Sequence, residues 1–125
     1  MNKILDILNE EKKRQFEWME LIASENYQSS SVRNILSHEI ANKYAEWYPG
    51  KRYYGWQDNT NAIESLAIER AKNVFSTNHA NVQCLSWAIA NIAIYAAFMN
   101  PWDTILWMDL SHWGHLTHWA PVTFI

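Results

Sequence analysis

His79–Met108 reads HANVQCLSWAIANIAIYAAFMNPWDTILWM, and this stretch decides the fold class. His79 to Gln83 reads as a short strand. Ser86 to Met99 is mostly apolar and long enough for a helix, which Asn100-Pro101 must end because a residue before proline avoids helical backbone. Thr104 to Met108 then predicts a short buried strand. Upstream, Ile63, Leu66, Ala67, Ala71, Val74 and Phe75 recur at helical spacing, with Asn59 or Thr60 available as the cap. Helix, strand, helix, strand in this order predicts the start of an α/β sheet with parallel strands.

Nearer the N-terminus the pattern is helical. Met1, Leu5, Leu8, Phe16 and Met19 share one face of a first helix, with Glu10 to Arg14 on its solvated part. LIASEN (Leu21 to Asn26) is a short connector. Ser29, Ser30 or Ser31 would cap a second helix running to about Ile40. Lys43 to Trp56, KYAEWYPGKRYYGW, follows with no helical or strand period and a turn at Pro49-Gly50. Two regions result: residues 1–55, a helical arm with a Tyr-rich loop, and residues 56–125, the start of a larger α/β domain. Two strands with their helices do not complete a doubly wound domain, so the 125 residues read as an N-terminal fragment.

Composition removes several classes of function. Hydrophobic residues make up 49% and charged residues 18%, as in a globular chain rather than a disordered one. A net charge of −3 carries no footprint for nucleic acid or an anionic membrane. The single cysteine, Cys84, has no internal partner, which fits a reducing, cytoplasmic setting. MNKILDILNEEKKRQ mixes charges into its apolar pattern, unlike a signal peptide. The run from Cys84 to Met99 is sixteen residues, short for a membrane span, and holds Ser86 and Asn91.

Chemistry-bearing residues gather in three places. The Tyr-rich loop holds Tyr44, Tyr48, Tyr53 and Tyr54 around one carboxylate, Glu46, and a loop carboxylate among tyrosines suits proton transfer. Interface packing is the plain alternative for these tyrosines. Ser86 follows a predicted strand and opens a helix, where backbone N–H groups can cradle a phosphate; a simple helix cap is the alternative. His112, His115 and His118 recur every three residues and alone suggest a metal site. On a helix they would fan out, and Asp109 is the only acidic neighbour. Lys51 after Gly50 lacks the spacing of a P-loop.

LIASEN, the Tyr-rich loop, LAIERAK (Leu66 to Lys72), ANVQ (Ala80 to Gln83) and DTILWMDLSHWGHLTHWAPV (Asp103 to Val122) together resemble the serine hydroxymethyltransferases, over about Glu20 to Phe124. The resemblance implies a fold-type-I (aspartate aminotransferase-like) pyridoxal-phosphate enzyme. It would transfer the serine hydroxymethyl group to tetrahydrofolate, leaving glycine, and would work as a homodimer or homotetramer. It implies acid–base chemistry at Glu46, reaching the substrate of the neighbouring subunit, and an active-site role for Tyr54. His115 would stack on the cofactor ring, with no metal at the histidines. Tyr44 would touch cofactor phosphate across the dimer. Ser86, Trp87 and Ala88 stand where the family has its SGS phosphate site, and Asn91 is a cofactor-side polar residue. Ser24 matches a substrate-carboxylate contact, Tyr53 a folate contact, and Leu110 and Gly114 the folate pocket. The family's Schiff-base lysine, the aspartate at the pyridine nitrogen and the arginine on the substrate carboxylate lie later in its pattern, so the chain alone is expected to be inactive. A different fold-type-I enzyme, such as a threonine aldolase, is opposed by the match at Leu110 to His118. A non-catalytic truncated chain that docks on a full-length subunit is the other alternative.

The departures are concentrated. The chain has eight tryptophans and three glycines. Trp47, Trp56, Trp87, Trp102, Trp107, Trp113 and Trp119 fall on family glycines, and Trp18 on a position where some members have glycine. Glycines in such loops commonly hold positive φ or admit close backbone approach, and a tryptophan in their place should be costly at each site. The expectation is UGA codons meant as glycine and written as tryptophan. A decayed paralogue would have scattered other residue types into these sites as well.

Overall fold

The computed structural model describes residues 2–118. The expectation at Trp119 and the end of the last motif, to Phe124, lies outside them. The chain forms two compact units, one up to Tyr44 and one from Ala45 onward.

The first unit holds α1 (Asn2–Glu17), α2 (Ser30–Leu36) and two 3-10 turns, Ala23–Glu25 and Glu39–Asn42. α1 carries its charges as intrahelical pairs: Arg14 Nε and Nη2 each lie 2.8 Å from a Glu11 carboxylate oxygen. Tyr27 Oη donates to the Gln15 carbonyl at 2.6 Å and ties the connector back to the helix. Ser29 caps α2 by accepting from the Val32 N–H. The helix expected to reach Ile40 stops at Leu36. There Ser37 turns its hydroxyl onto the Asn34 carbonyl, and His38 begins the following turn by accepting from the Ile40 N–H.

The second unit holds α3 (Asp58–Phe75), α4 (Trp87–Phe98) and a 3-10 turn, Leu110–His112. α3 starts before its expected caps, so Asn59 and Thr60 lie within its first turn, and it ends on a left-handed Ser76 at φ 51°. α4 begins as expected, with Ser86 as its cap.

The expected strands are absent. Among the described residues every regular element is helical, and His79–Gln83 and Thr104–Met108 carry no ladder. A strand exists through its partner's hydrogen bonds, and these two segments do not pair with each other. The Gln83 N–H is instead taken by the Asn81 side chain at 2.9 Å. The expected α/β class is therefore not confirmed among the described residues, whose regular elements are all helical.

Polar contacts rather than a core hold the second unit. Among the described residues no apolar side chain is buried, and only Gln57 and Thr117 fall in the buried class. The Arg52 side chain is 3% exposed and pairs with Glu64 of α3. It also donates to Asn61 Oδ1 at 3.0 Å and to the carbonyls of Ala45 and Trp47. Gln83 Nε2 donates to the other Glu64 oxygen at 2.7 Å and to the Trp47 carbonyl at 3.1 Å. The guanidinium thus fixes the Tyr-rich loop onto α3.

Four tryptophans hold left-handed backbone: Trp47, Trp56, Trp102 and Trp113, with φ of 77°, 60°, 77° and 70°. A side chain bearing a Cβ costs about 1–2 kcal/mol in that region, set against a total stability of ~5–15 kcal/mol for an ordinary domain.

Two measurements test these contacts. Arg52→Ala removes the charge partner of the half-buried Glu64 carboxylate and should cost up to about 3–5 kcal/mol in urea unfolding, whereas a loss under about 1 kcal/mol would mean a solvated surface pair. The Glu11 carboxyl is pulled from its ordinary 4.5 to about 2, chiefly by its hydrogen bonds to Arg14 and then Gln15. A depressed pKa stabilises α1 above the ordinary value, and that contribution is lost as pH falls toward the folded value. Far-UV helicity should therefore fall slightly between pH 4.5 and pH 2, and Glu11→Gln should remove that component.

Candidate functional site

The second unit brings the N-terminus of α4 against the His115 segment. Ser86 is extended (φ −153°, ψ 164°), and its Oγ accepts from the Ile89 N–H at 3.4 Å. Trp87 and Ala88 open the helix, so their N–H groups belong to the first turn, which has no intrahelical acceptors. Asn91, one turn further on, donates through Nδ2 to the hydroxyl of Thr117.

Thr117 organises this region. It is 4% exposed, and its hydroxyl lies 2.6 Å from His115 Nδ1. The Thr117 backbone N–H donates to the same ring nitrogen at 3.2 Å. A nitrogen that receives a backbone N–H is an acceptor, so the neutral His115 ring carries its proton on Nε2. The Thr117 hydroxyl, accepting from Asn91, has its own proton left for Nδ1. His118 Nδ1 accepts from the His115 N–H at 3.3 Å, and the two rings are tilted with centroids 5.9 Å apart. Sequence reasoning misses Thr117, because a threonine between two histidines has no spacing signature. Only the half-buried ring's need for a partner on Nδ1 points to it.

The His115 ring is a stacking platform with something already on it. The Trp87 indole lies parallel to it, centroids 5.0 Å apart and planes at 12°. A flat cofactor ring stacked on His115 from the α4 side would need the space the indole fills. The cap, the first-turn N–H groups, Asn91 and His115 suit a phosphorylated pyridine; Trp87 does not, and with tryptophan at this position the site does not fit that group.

Leu110 and Gly114 sit in the turn leading to His115. The Asp109 carboxylate accepts from the Ser111 hydroxyl at 2.6 Å and from its N–H at 2.8 Å, and these bonds hold the acid below its ordinary range. The N–H groups of His112 and Gly114 both return to the Asp109 carbonyl at 2.9 Å. A Cβ at Gly114 would lie 1.9 Å from the Met108 carbonyl oxygen, so only glycine fits there. Among the described residues no cluster of three or more His, Cys, Asp or Glu is arranged to hold a metal ion.

In the Tyr-rich loop Glu46, Tyr53 and Tyr54 are all exposed. Trp47 packs edge-on to Tyr48 (5.5 Å, 70°) and tilted on Tyr53 (6.1 Å, 50°). Tyr48 Oη accepts from Asn81 Nδ2 at 3.2 Å. Ser24, in the Ala23–Glu25 turn, and Tyr44 are exposed residues of the first unit. The structure thus gathers Ser86, Trp87, Asn91 and His115 with Thr117, and leaves Glu46, Tyr53 and Tyr54 on a clamped, solvent-facing loop.

The profile of the serine hydroxymethyltransferase family matches residues 1–125, and the chain belongs to that family. Serine hydroxymethyltransferases of two strains of Buchnera aphidicola subsp. Acyrthosiphon pisum, 5A and APS, are each 53% identical to it over 122 residues. The match covers 98% of this chain and 29% of each relative, so the chain spans less than a third of their length. No helix among the described residues is long and apolar enough to cross a membrane.

The Thr117 contacts make a direct prediction. Thr117→Val removes the hydroxyl and keeps the shape, so Asn91 loses its acceptor and His115 Nδ1 keeps only the backbone donor. Nitrogen-15 spectra of the imidazole should then show the Nδ1 resonance displaced, with the Nε2-protonated form retained through the backbone donor. Unchanged ring shifts would mean that the hydroxyl has no hold on the ring.

Proposed function

We propose that the full-length protein containing these residues is a serine hydroxymethyltransferase. It transfers the hydroxymethyl group of serine to tetrahydrofolate, giving glycine and methylenetetrahydrofolate, in a cytoplasmic homodimer or larger assembly of fold-type-I subunits. The observation that carries this reading is the His115 platform at the capped N-terminus of α4. A flat aromatic ring already stacks there, and the imidazole is oriented at its Nδ1 edge by Thr117, whose hydroxyl in turn accepts from Asn91.

Pyridoxal phosphate, as the family's cofactor, would supply the electron sink for cleaving the serine side chain. The roles of this chain's residues rest on family membership together with their chemistry. Glu46 moves the proton at the serine hydroxyl. Tyr54 orders the substrate beside it, and Ser24 binds the substrate carboxylate. Tyr53, Leu110 and Gly114 line the folate side. Ser86 and Ala88 would serve the phosphate end and Asn91 the cofactor side, and Tyr44 would reach the phosphate from a second subunit. With tryptophan at position 87 the cofactor's place is filled, and that form is expected to be inactive.

A second reading, a non-catalytic chain that docks on a full-length subunit, draws on the lack of any buried apolar side chain among the described residues. Assay of the full-length protein separates the two. Tetrahydrofolate-dependent conversion of serine to glycine supports the enzyme, and its absence from a folded, cofactor-loaded protein rejects it. Glu46→Gln should lower kcat by ~10²–10⁴ and leave the cofactor's visible absorption intact. An unchanged kcat would remove Glu46 from the proton transfer.

A further inference from the structure

Half of the tryptophans stand where the backbone is built for glycine. Among the described residues five non-glycine residues have positive φ, and four of them are Trp47, Trp56, Trp102 and Trp113. Local geometry explains each position better than side-chain chemistry does. Asn100-Pro101-Trp102-Asp103 closes with the Asp103 N–H on the Asn100 carbonyl at 3.1 Å. Proline second and a residue at φ 77° third is the pattern of a type II turn, whose third position takes glycine. Trp113 (φ 70°, ψ 19°) is the left-handed residue that ends the Leu110–His112 turn, again a glycine position. Trp56 turns the chain into the cap of α3, and Trp47 turns the loop so that its carbonyl meets Arg52 and Gln83.

Burial offers no compensation. Trp56, Trp102 and Trp113 are 94%, 99% and 97% exposed, and Trp47 is 49% exposed. A tryptophan is worth its conformational cost when its large ring is removed from water; those of Trp56, Trp102 and Trp113 are not, and that of Trp47 is only half covered, against Tyr48 and Tyr53. Trp87 adds an independent observation: its indole covers the His115 face, the one arrangement that closes the platform on which the site depends.

One substitution type at all five positions needs one cause. The triplet UGA is read as tryptophan in one genetic code and as glycine in another, which converts a whole set of glycines to tryptophan at a stroke. We propose that the protein made in its own cells carries glycine at positions 47, 56, 87, 102 and 113, and that an open His115 platform is its working state.

The first test uses the full-length protein purified from the cells that carry the gene, digested and sequenced by tandem mass spectrometry. Glycine at the five positions is the expected result; tryptophan at any of them overturns the proposal there. Activity is not read, so this outcome is separate from the fate of the proposed function. The second test compares full-length proteins from synthetic genes with tryptophan, alanine or glycine at 47, 56, 102 and 113. Glycine should give the highest unfolding midpoint. Alanine should fall short of it, because alanine removes the bulk and keeps the Cβ. Equal midpoints for alanine and glycine, or a tryptophan form as stable as either, would overturn the backbone argument.

Discussion

The second unit depends on the Arg52 guanidinium. Its fork reaches a carboxylate and an amide on α3 and two carbonyls of the loop. A planar, permanently charged group suits this, because several fixed N–H directions are satisfied at once. The cost is desolvation of a charge, offset by Glu64 and by the carbonyls that complete its shell. The loop that presents Glu46 and Tyr53 is therefore a shaped surface instead of a free hinge, although it has no secondary structure.

Apolar contact plays a smaller part than the composition suggests. Nearly half of the residues are hydrophobic, yet among the described residues none of those side chains is buried. Caps, turns and side-chain bridges set the local geometry: Ser86 on α4, Asp109 on Ser111, Thr117 between Asn91 and His115. These bonds are short in sequence or join neighbouring elements, and they do not need a closed core to form.

That division explains what could be read in advance. Helices were legible because their period and caps are local: α4 begins at the residue named by Ser86, and α3 shows its apolar spacing. The strands were not, since a strand is a property of a pair, and neither His79–Gln83 nor Thr104–Met108 finds its partner. α2 is shorter than its pattern suggests because Ser37 and His38 bond to nearby backbone. Of the site, Ser86, Asn91 and His115 could be placed from motifs, and the structure brings them together. Thr117 could not, because its role is to satisfy a neighbour. The oddity of the tryptophans was legible as composition, but only backbone angles separate Trp102 and Trp113, held left-handed, from Trp107, which is not among the positive-φ residues.

α4 has a consequence for how the protein is made. WAIANIAIYAAF carries apolar residues around its whole circumference, and Ile89, Ile94 and Phe98 stand 46%, 56% and 80% exposed. A helix of this kind is insoluble by design until other surfaces enclose it. During synthesis it would wait, exposed, for those surfaces. The nascent chain thus offers holdase chaperones a ready binding segment, and the yield of native protein becomes a race between enclosure of α4 and its self-association.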